Sequence, residues 1–359
     1  MHFAVSDKYR QATQDELRRI ILDAKKSYEN RMVILAHHYQ RLEVALLGDF
    51  VGDSYELSKT AARRKDAEYI VFCGVHFMAE AANILALEHQ KVYLPNPLAG
   101  CPMADMADID DVMAAWRYLE EIGVAEKTLP LSYMNSAAEL KAFCGRKGGL
   151  ICTSSNAKAA YKWVFDRADK LFFFPDENLG YNVGRWMGIP DDEIFVWDFR
   201  SIDREINPDR VRNARLILWK GHCHVHTNFK RHHIEAVRRQ YPDAKIVVHP
   251  ECTWEVVSNV DAVGSTKFIV DYIGRQPAGS VIAVGTEINL INRMAHQYPD
   301  KTIFELSGQT CPVCANMYRT TLADLANTVE HLDSFERIMV PENIKEDARI
   351  ALNRMLEVY

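Results

Sequence analysis

Short apolar runs recur along the chain, each ending on small or polar residues and followed by a stretch with helical spacing. The runs are MVILA (32–36), YIVFC (69–73), VYLP (92–95), TLPLSY (128–133) and GLICTSS (149–155), then LFFFP (171–175), RLILW (215–219), KIVVHP (245–250), SVIAVG (280–285) and TIFELSG (302–308). Runs this apolar and this rich in β-branched and aromatic residues suit strands covered on both faces, as in parallel sheets. Between them, Leu322, Leu325, Val329 and Leu332 share one helix face, and Phe268, Ile269, Tyr272 and Ile273 share another. Ahead of the first run, Thr13 and Glu16 have the spacing of a capping box for an amphipathic helix ending near Tyr28. The fold class predicted is therefore α/β, with parallel sheets and crossover helices. The strands fall into three groups about a hundred residues apart, which predicts three small domains of similar plan.

Composition narrows the function classes. At 359 residues the chain exceeds one ordinary core. A net charge of −6 gives no electrostatic reason to expect nucleic acid, and Arg238 with Arg239 reads as a solvated helix face. No apolar run approaches the roughly 20 residues of a membrane span, and the segment before Met32 lacks the apolar stretch of a signal peptide. A cytoplasmic location is expected, with no membrane association. In a reducing compartment the eight cysteines, at 73, 101, 144, 152, 223, 252, 311 and 314, should serve as buried thiols, metal ligands or reactive groups rather than disulfides.

In parallel sheets ligands bind beyond the carboxyl ends of the strands. His37, His38 and Tyr39 follow the first run, Tyr133-Met134-Asn135-Ser136 ends the fourth, Thr153 to Asn156 the fifth, and His249-Pro250-Glu251 follows KIVV. Ser265 and Thr266 open a further helix. Ser, Thr and Asn at such places also cap helices; His and Tyr are not preferred caps, and their recurrence suits a small anionic ligand near helix N-termini. Cys101, Cys223 and the pair Cys311–Cys314 share this placement, one position per group, as a three-thiolate site requires. Taken alone, a cysteine after a strand is more often a small buried hydrophobe. A zinc site using Cys223, His224, His226 and His249 is an alternative. The closely spaced run of an electron-transfer cluster is absent.

Several blocks resemble quinolinate synthases: AHHYQ (36–40), GDSYELSK (52–59), GVHFMAEAANIL (74–85), AGCPMADM (99–106), SYMNSAAELKA (132–142), CTSSNA (152–157), WKGHCHVH (219–226), VVHPECTWEV (247–256), DAVGSTKFIV (261–270) and TCPVCANM (310–317). The resemblance implies three αβα domains around a pseudo-threefold axis, expected here at 1–115, 116–228 and 229–334, with helix 335–359 packing on the first. It implies a central [4Fe-4S] cluster held by Cys101, Cys223 and Cys314, with one iron left open. Cys314 is preferred to Cys311 because it stands three residues before Met317.

The reaction implied joins iminoaspartate to dihydroxyacetone phosphate, losing phosphate and two waters to form quinolinate on the route to NAD. The resemblance places His37, Ser54, Tyr133, Asn135, Ser154, His249, Ser265 and Thr266 around the substrates as neutral donors. Proton transfer is expected from Glu251 first, then Tyr39, with His226 assisting; the alternative for Glu251 is a cap on a helix beginning at Trp254. Asp176 and Asn178 should shape the loop after LFFFP, and His232, His233, His296 and His331 should be surface residues. Transient contact with the enzyme that supplies iminoaspartate is a further expectation. A zinc hydrolase and an iron- or oxygen-sensing cluster protein are the competing functions.

Overall fold

A computed structural model describes residues 5–200, 206–308 and 311–358. Thirteen strands among them form three wholly parallel sheets. The first contains β1 (Met32–His37), β2 (Phe50–Gly52), β3 (Tyr69–Cys73) and β4 (Lys91–Tyr93) in the order β2-β1-β3-β4. The second contains β5 (Thr128–Tyr133), β6 (Leu150–Cys152), β7 (Lys170–Phe174), β8 (Ile194–Trp197) and β9 (Leu216–Trp219) in the order β6-β5-β7-β9-β8. The third contains β10 (Lys245–Val248), β11 (Ala262–Val263), β12 (Val281–Gly285) and β13 (Thr302–Glu305) in the order β11-β10-β12-β13. The α/β class with three parallel sheets is as the sequence predicts.

The apolar runs explain which strands are central. Every residue of β1, β3 and β7 is buried, because helices cover both faces of a parallel sheet. β1 pairs with β3 with Val33 opposite Ile70, β5 with β7 with Leu131 opposite Phe173, and β10 with β12 with Val247 opposite Val284. The plan of all three sheets is alike: the first strand of each group lies second in order, and the chain reverses direction of travel beside it. Ligands gather at the carboxyl side of such a reversal. The residues there are His37 at the end of β1, Tyr133 at the end of β5 and His249 just after β10.

By contacts the chain divides into two compact units. One comprises Met1–Cys101, Glu287–Pro299 and Cys311–Pro341; the other comprises Pro102–Thr286, Asp300–Thr310 and Glu342–Tyr359. The first unit holds β1–β4 and a core in which Ile34, Val71 and Tyr93 meet Leu325 and Val329 of the helix Leu322–Glu330. The helix Gln14–Tyr28 joins this core through Leu17 and Ile21, and its predicted capping box is present: Thr13 Oγ1 accepts from Glu16 N–H at 3.3 Å, and Glu16 Oε2 accepts from Thr13 N–H at 2.7 Å. The second unit holds the other two sheets.

The terminal helix departs from expectation. Glu342–Glu357 packs against the helix Ala138–Arg146 and against β6, not on the first sheet. Ala348, Ala351, Leu352 and Met355 supply its buried face, and full burial of Leu352 and Met355 contributes about 1.5–3 kcal/mol each. Gly145 permits the approach: a Cβ there would lie 1.9 Å from the Asp347 carbonyl oxygen. Arg146 pairs with Asp347 at 3.0 Å, and Arg354 Nη1 donates to the Gly149 carbonyl at 2.6 Å. His233 is also not a surface residue; it is buried, and its Nδ1 accepts from Lys230 N–H at 3.1 Å. No helix among the described residues is long and apolar enough to cross a membrane.

Gly145→Ala gains helix propensity of about 1 kcal/mol but must push the terminal helix away. It should lower stability by about 1–3 kcal/mol overall, read as a reduced urea midpoint.

A buried carboxylate and histidine cluster as the candidate active site

In the second unit, Glu251 is the centre of the arrangement. It follows β10 by three residues, is 3 % exposed, and accepts a hydrogen bond at Oε1 from the Tyr133 hydroxyl at 2.6 Å. His226 Nε2 lies 3.8 Å from its Oε2, and His249 Nδ1 lies 3.7 Å from its Oε1. The two imidazoles stack with centroids 4.4 Å apart and planes 19° apart. His249 Nδ1 accepts from Glu251 N–H at 3.4 Å. The ring proton of a neutral His249 then sits on Nε2, which faces Ser154 Oγ at 3.2 Å and donates to it.

The alternative role for Glu251 is not seen. Thr253 occupies the cap position of the short helix Trp254–Val257, and the Glu251 side chain turns to Tyr133 instead. What fixes the turn is Asn182 in the helix Glu177–Trp186: its Nδ2 donates to the carbonyls of Pro250 at 2.7 Å and Cys252 at 2.8 Å, on either side of Glu251. Asn182 is a residue that sequence reasoning missed; the available signal was an asparagine inside a helix, where its propensity is poor.

Burial governs the electrostatics. Loss of hydration raises the Glu251 carboxyl above its ordinary range, opposed by hydrogen bonds from Tyr133 and Cys223. His226 is pushed down to about 3, mainly by burial and then by His224. Asp176, wholly buried, is raised well above the ordinary range by burial and by the nearby Glu251 charge. It also caps the helix Glu177–Trp186 by accepting from Leu179 N–H at 2.6 Å, the loop-shaping role expected of it.

Cys223, at the start of the short helix His224–Thr227, completes the cluster: one ligand atom each of Cys223, His226 and Glu251 lies within 4.8 Å of the others. His224 of the zinc alternative is exposed and is not in this group. Beside it, a cavity of about 550 Å³ is lined by Ser154, Pro250, Gly264 and Ser265. Ser265 caps the helix Thr266–Arg275, accepting from Phe268 N–H at 3.3 Å, and Thr266 is buried. Asn135 Oδ1 is buried without a hydrogen-bond partner. The loop carrying Tyr133 and Asn135 is pinned by the buried Lys141, which donates to the Ser136 carbonyl, and by Ser136 Oγ, which donates to the Tyr133 carbonyl at 2.9 Å.

The first unit holds the remaining predicted residues. His37 is buried; its Nδ1 accepts from Tyr39 N–H at 3.1 Å, and the Tyr39 ring meets it edge-on at 4.8 Å. Ser54 opens the helix Ser54–Arg63, capped by Asp53. Cys101 and Cys314 are half-buried. Cys314 N–H donates to Glu287 Oε1 at 3.2 Å. Glu287, which follows the SVIAVG run at the end of β12, is fully buried, caps the helix Ile288–Gln297, and is pushed up to about 8 by burial.

The cysteines sort by exposure. Cys73, Cys144, Cys152 and Cys252 are buried, and burial drives their thiols upward, away from the thiolate a metal needs. Cys101, Cys223 and Cys314 are half-exposed, and Cys311 is exposed. Exposure thus leaves Cys101, Cys223, Cys314 and Cys311, and not the four buried thiols, able to serve as thiolate donors to a metal.

The sequence profile of the family described as "Quinolinate synthetase A protein" matches residues 19–357. A relative from Geobacillus sp. (strain WCH70) is 47% identical over 98% of this chain and 95% of its own length. One from Corynebacterium glutamicum is 46% identical over 98% and 90%. One from Acidobacterium capsulatum is 48% identical over 91% and 88%. All three bear the name quinolinate synthase. With a family match across nearly all its residues and relatives this similar along their whole length, the chain belongs to the quinolinate synthetase A family of enzymes.

Proposed function

We propose that the chain is a cytoplasmic quinolinate synthase of NAD biosynthesis, condensing iminoaspartate with dihydroxyacetone phosphate and releasing phosphate and two waters. The observation that carries this reading is the buried Glu251 held by Tyr133 and flanked by His226 and His249 beside Cys223. Cys101, Cys223 and Cys314 are the residues that would hold a [4Fe-4S] cluster with one iron free of protein ligands. When bound, such a cluster supplies a Lewis acid that polarises a substrate oxygen.

The protein's own groups supply binding and proton transfer. Glu251, raised towards neutrality by burial, can take a proton from carbon or nitrogen and return it to a departing hydroxyl. Tyr133 steadies it through the 2.6 Å hydrogen bond. His226 is kept neutral by burial and can relay a proton without gaining a lasting charge. Tyr39 is a second proton carrier, packed on His37. Ser154, Ser265 and Thr266 offer hydroxyls, and the start of the helix Thr266–Arg275 favours the anionic carboxylates and phosphate. Asn135, with its buried amide oxygen, and His37, His249 and Ser54 complete the donors. The short life of iminoaspartate favours direct hand-over from the enzyme that makes it.

Anaerobic purification with metal analysis and an assay for quinolinate on the same sample tests the proposal. Zinc with no iron, or iron without turnover, would replace it by a hydrolase or a sensor. Serine at position 101, 223 or 314 should each remove the iron and its colour, whereas Cys144→Ser should keep both. Glu251→Gln should retain iron and lose about 10²–10⁴-fold in kcat; near-wild-type turnover would remove Glu251 from proton transfer. The same substitution has a stability signature. Because the folded carboxyl binds its proton more tightly than the unfolded one, wild type loses stability relative to Glu251→Gln as pH rises above 4.5, and the loss is complete once pH passes the folded value. Urea midpoints of the two proteins on either side of that window, from about pH 4 to about pH 9, read that difference.

A further inference from the structure

Arg293 lies in the middle of the helix Ile288–Gln297, within the first unit. Its Nη2 is 2.5 Å from Nδ1 of His38. A guanidinium carries only donors, so Nδ1 of His38 must be the acceptor and the ring proton must rest on Nε2. His37 next to it is set the same way by a different donor, since its Nδ1 accepts from Tyr39 N–H. Two adjacent buried imidazoles are thereby held neutral, each with Nε2–H outward from the bond that fixes it. The Arg293 charge also opposes protonation of His37.

A purely structural strut between helix and strand end would need only a neutral amide donor. Arg293 instead keeps a permanent cation half-buried, with Nε out of water and without a hydrogen-bond partner, and burial disfavours its charge. Taking a cation partly out of water with only a neutral imidazole as its hydrogen-bond partner is costly, so the charge has to do something an amide could not. We infer that Arg293 is a positioning residue of the active site, acting through His38 to hold the His37–His38–Tyr39 turn with both imidazoles as neutral Nε2–H donors. This rests on the substrate-binding role proposed for His37 and the proton-carrying role proposed for Tyr39.

A double-mutant cycle on the anaerobically reconstituted holoenzyme tests it, with Arg293→Gln, Arg293→Lys, His38→Gln and the Gln/Gln double variant, and with iron content and thermal midpoint recorded for each. Arg293→Gln should lower kcat/KM for quinolinate formation about tenfold, more through KM than kcat. Lysine, which keeps charge and donor, should recover most of the loss. In the His38→Gln background the Arg293→Gln change should cost less than about twofold, because residues acting as one unit are not additive. Arg293→Gln within about twofold of wild type, or single losses that multiply in the double variant, would overturn the inference. If the glutamine variant fails to fold, the lysine variant decides: kcat/KM near wild type supports the inference, and a loss as large as that of His38→Gln with normal iron and melting defeats it. A wild-type protein that makes no quinolinate would instead defeat the proposed function, which separates the two failures.

Discussion

A carboxyl group taken out of water must recover its lost hydration from neighbours, and at Glu251 those neighbours are a phenol and two neutral imidazoles rather than a cation. Around that carboxyl, much of the second unit's strand-end architecture is arranged. β5 delivers Tyr133, the segment after β9 delivers Cys223 and His226, the segment after β10 delivers His249 and Glu251, and Asn182 fixes the turn between them. A lysine or arginine in contact would have pulled the carboxyl down to a weak base. Desolvation with hydrogen bonding alone leaves it able both to accept and to give a proton.

The same preference for neutral donors marks the remaining candidates. Under the proposed function, Ser154 and Ser265 of the cavity, with Asn135 and the buried Thr266, would hold carboxylates and phosphate while adding no fixed charge. A product that is itself a dianion leaves such a site more readily than one lined with guanidinium groups, because hydroxyl and amide contacts are weaker than charge-assisted ones. The half-buried cation Arg293 of the first unit fits this pattern: its donor is used on His38.

Much of this was legible in the sequence. β3 and β5 coincide with their apolar runs, and the polar residues at the ends of β1, β5 and β10 stood out because a covered parallel strand has no other reason to end in His, Tyr or Glu. β2, β8 and β11 were missed. They are outer strands of two to four residues, partly exposed, and carry no long apolar run. The terminal helix was placed on the wrong partner because its apolar face, Ala348, Ala351, Leu352 and Met355, shows that it docks but not where. The matching feature, bare backbone at Gly145, is visible only once the helices are side by side. Asn182 and Arg293 act from within helices, and nothing in periodicity separates them from ordinary surface polar residues.

Asn156 ties these threads together. Its side-chain oxygen accepts from Thr153 N–H at 2.8 Å, closing the loop that carries Ser154, while its Nδ2 donates to the carbonyls of Met355 at 3.2 Å and Val358 at 2.9 Å. One amide thus clamps a cavity-lining loop to backbone made about two hundred residues later. Closing contacts so distant in sequence is entropically slow. During synthesis, therefore, the loop acquires its final support only after the helix Glu342–Glu357 has been made, and strain in that helix would be felt at Ser154 before it was felt in the sheets.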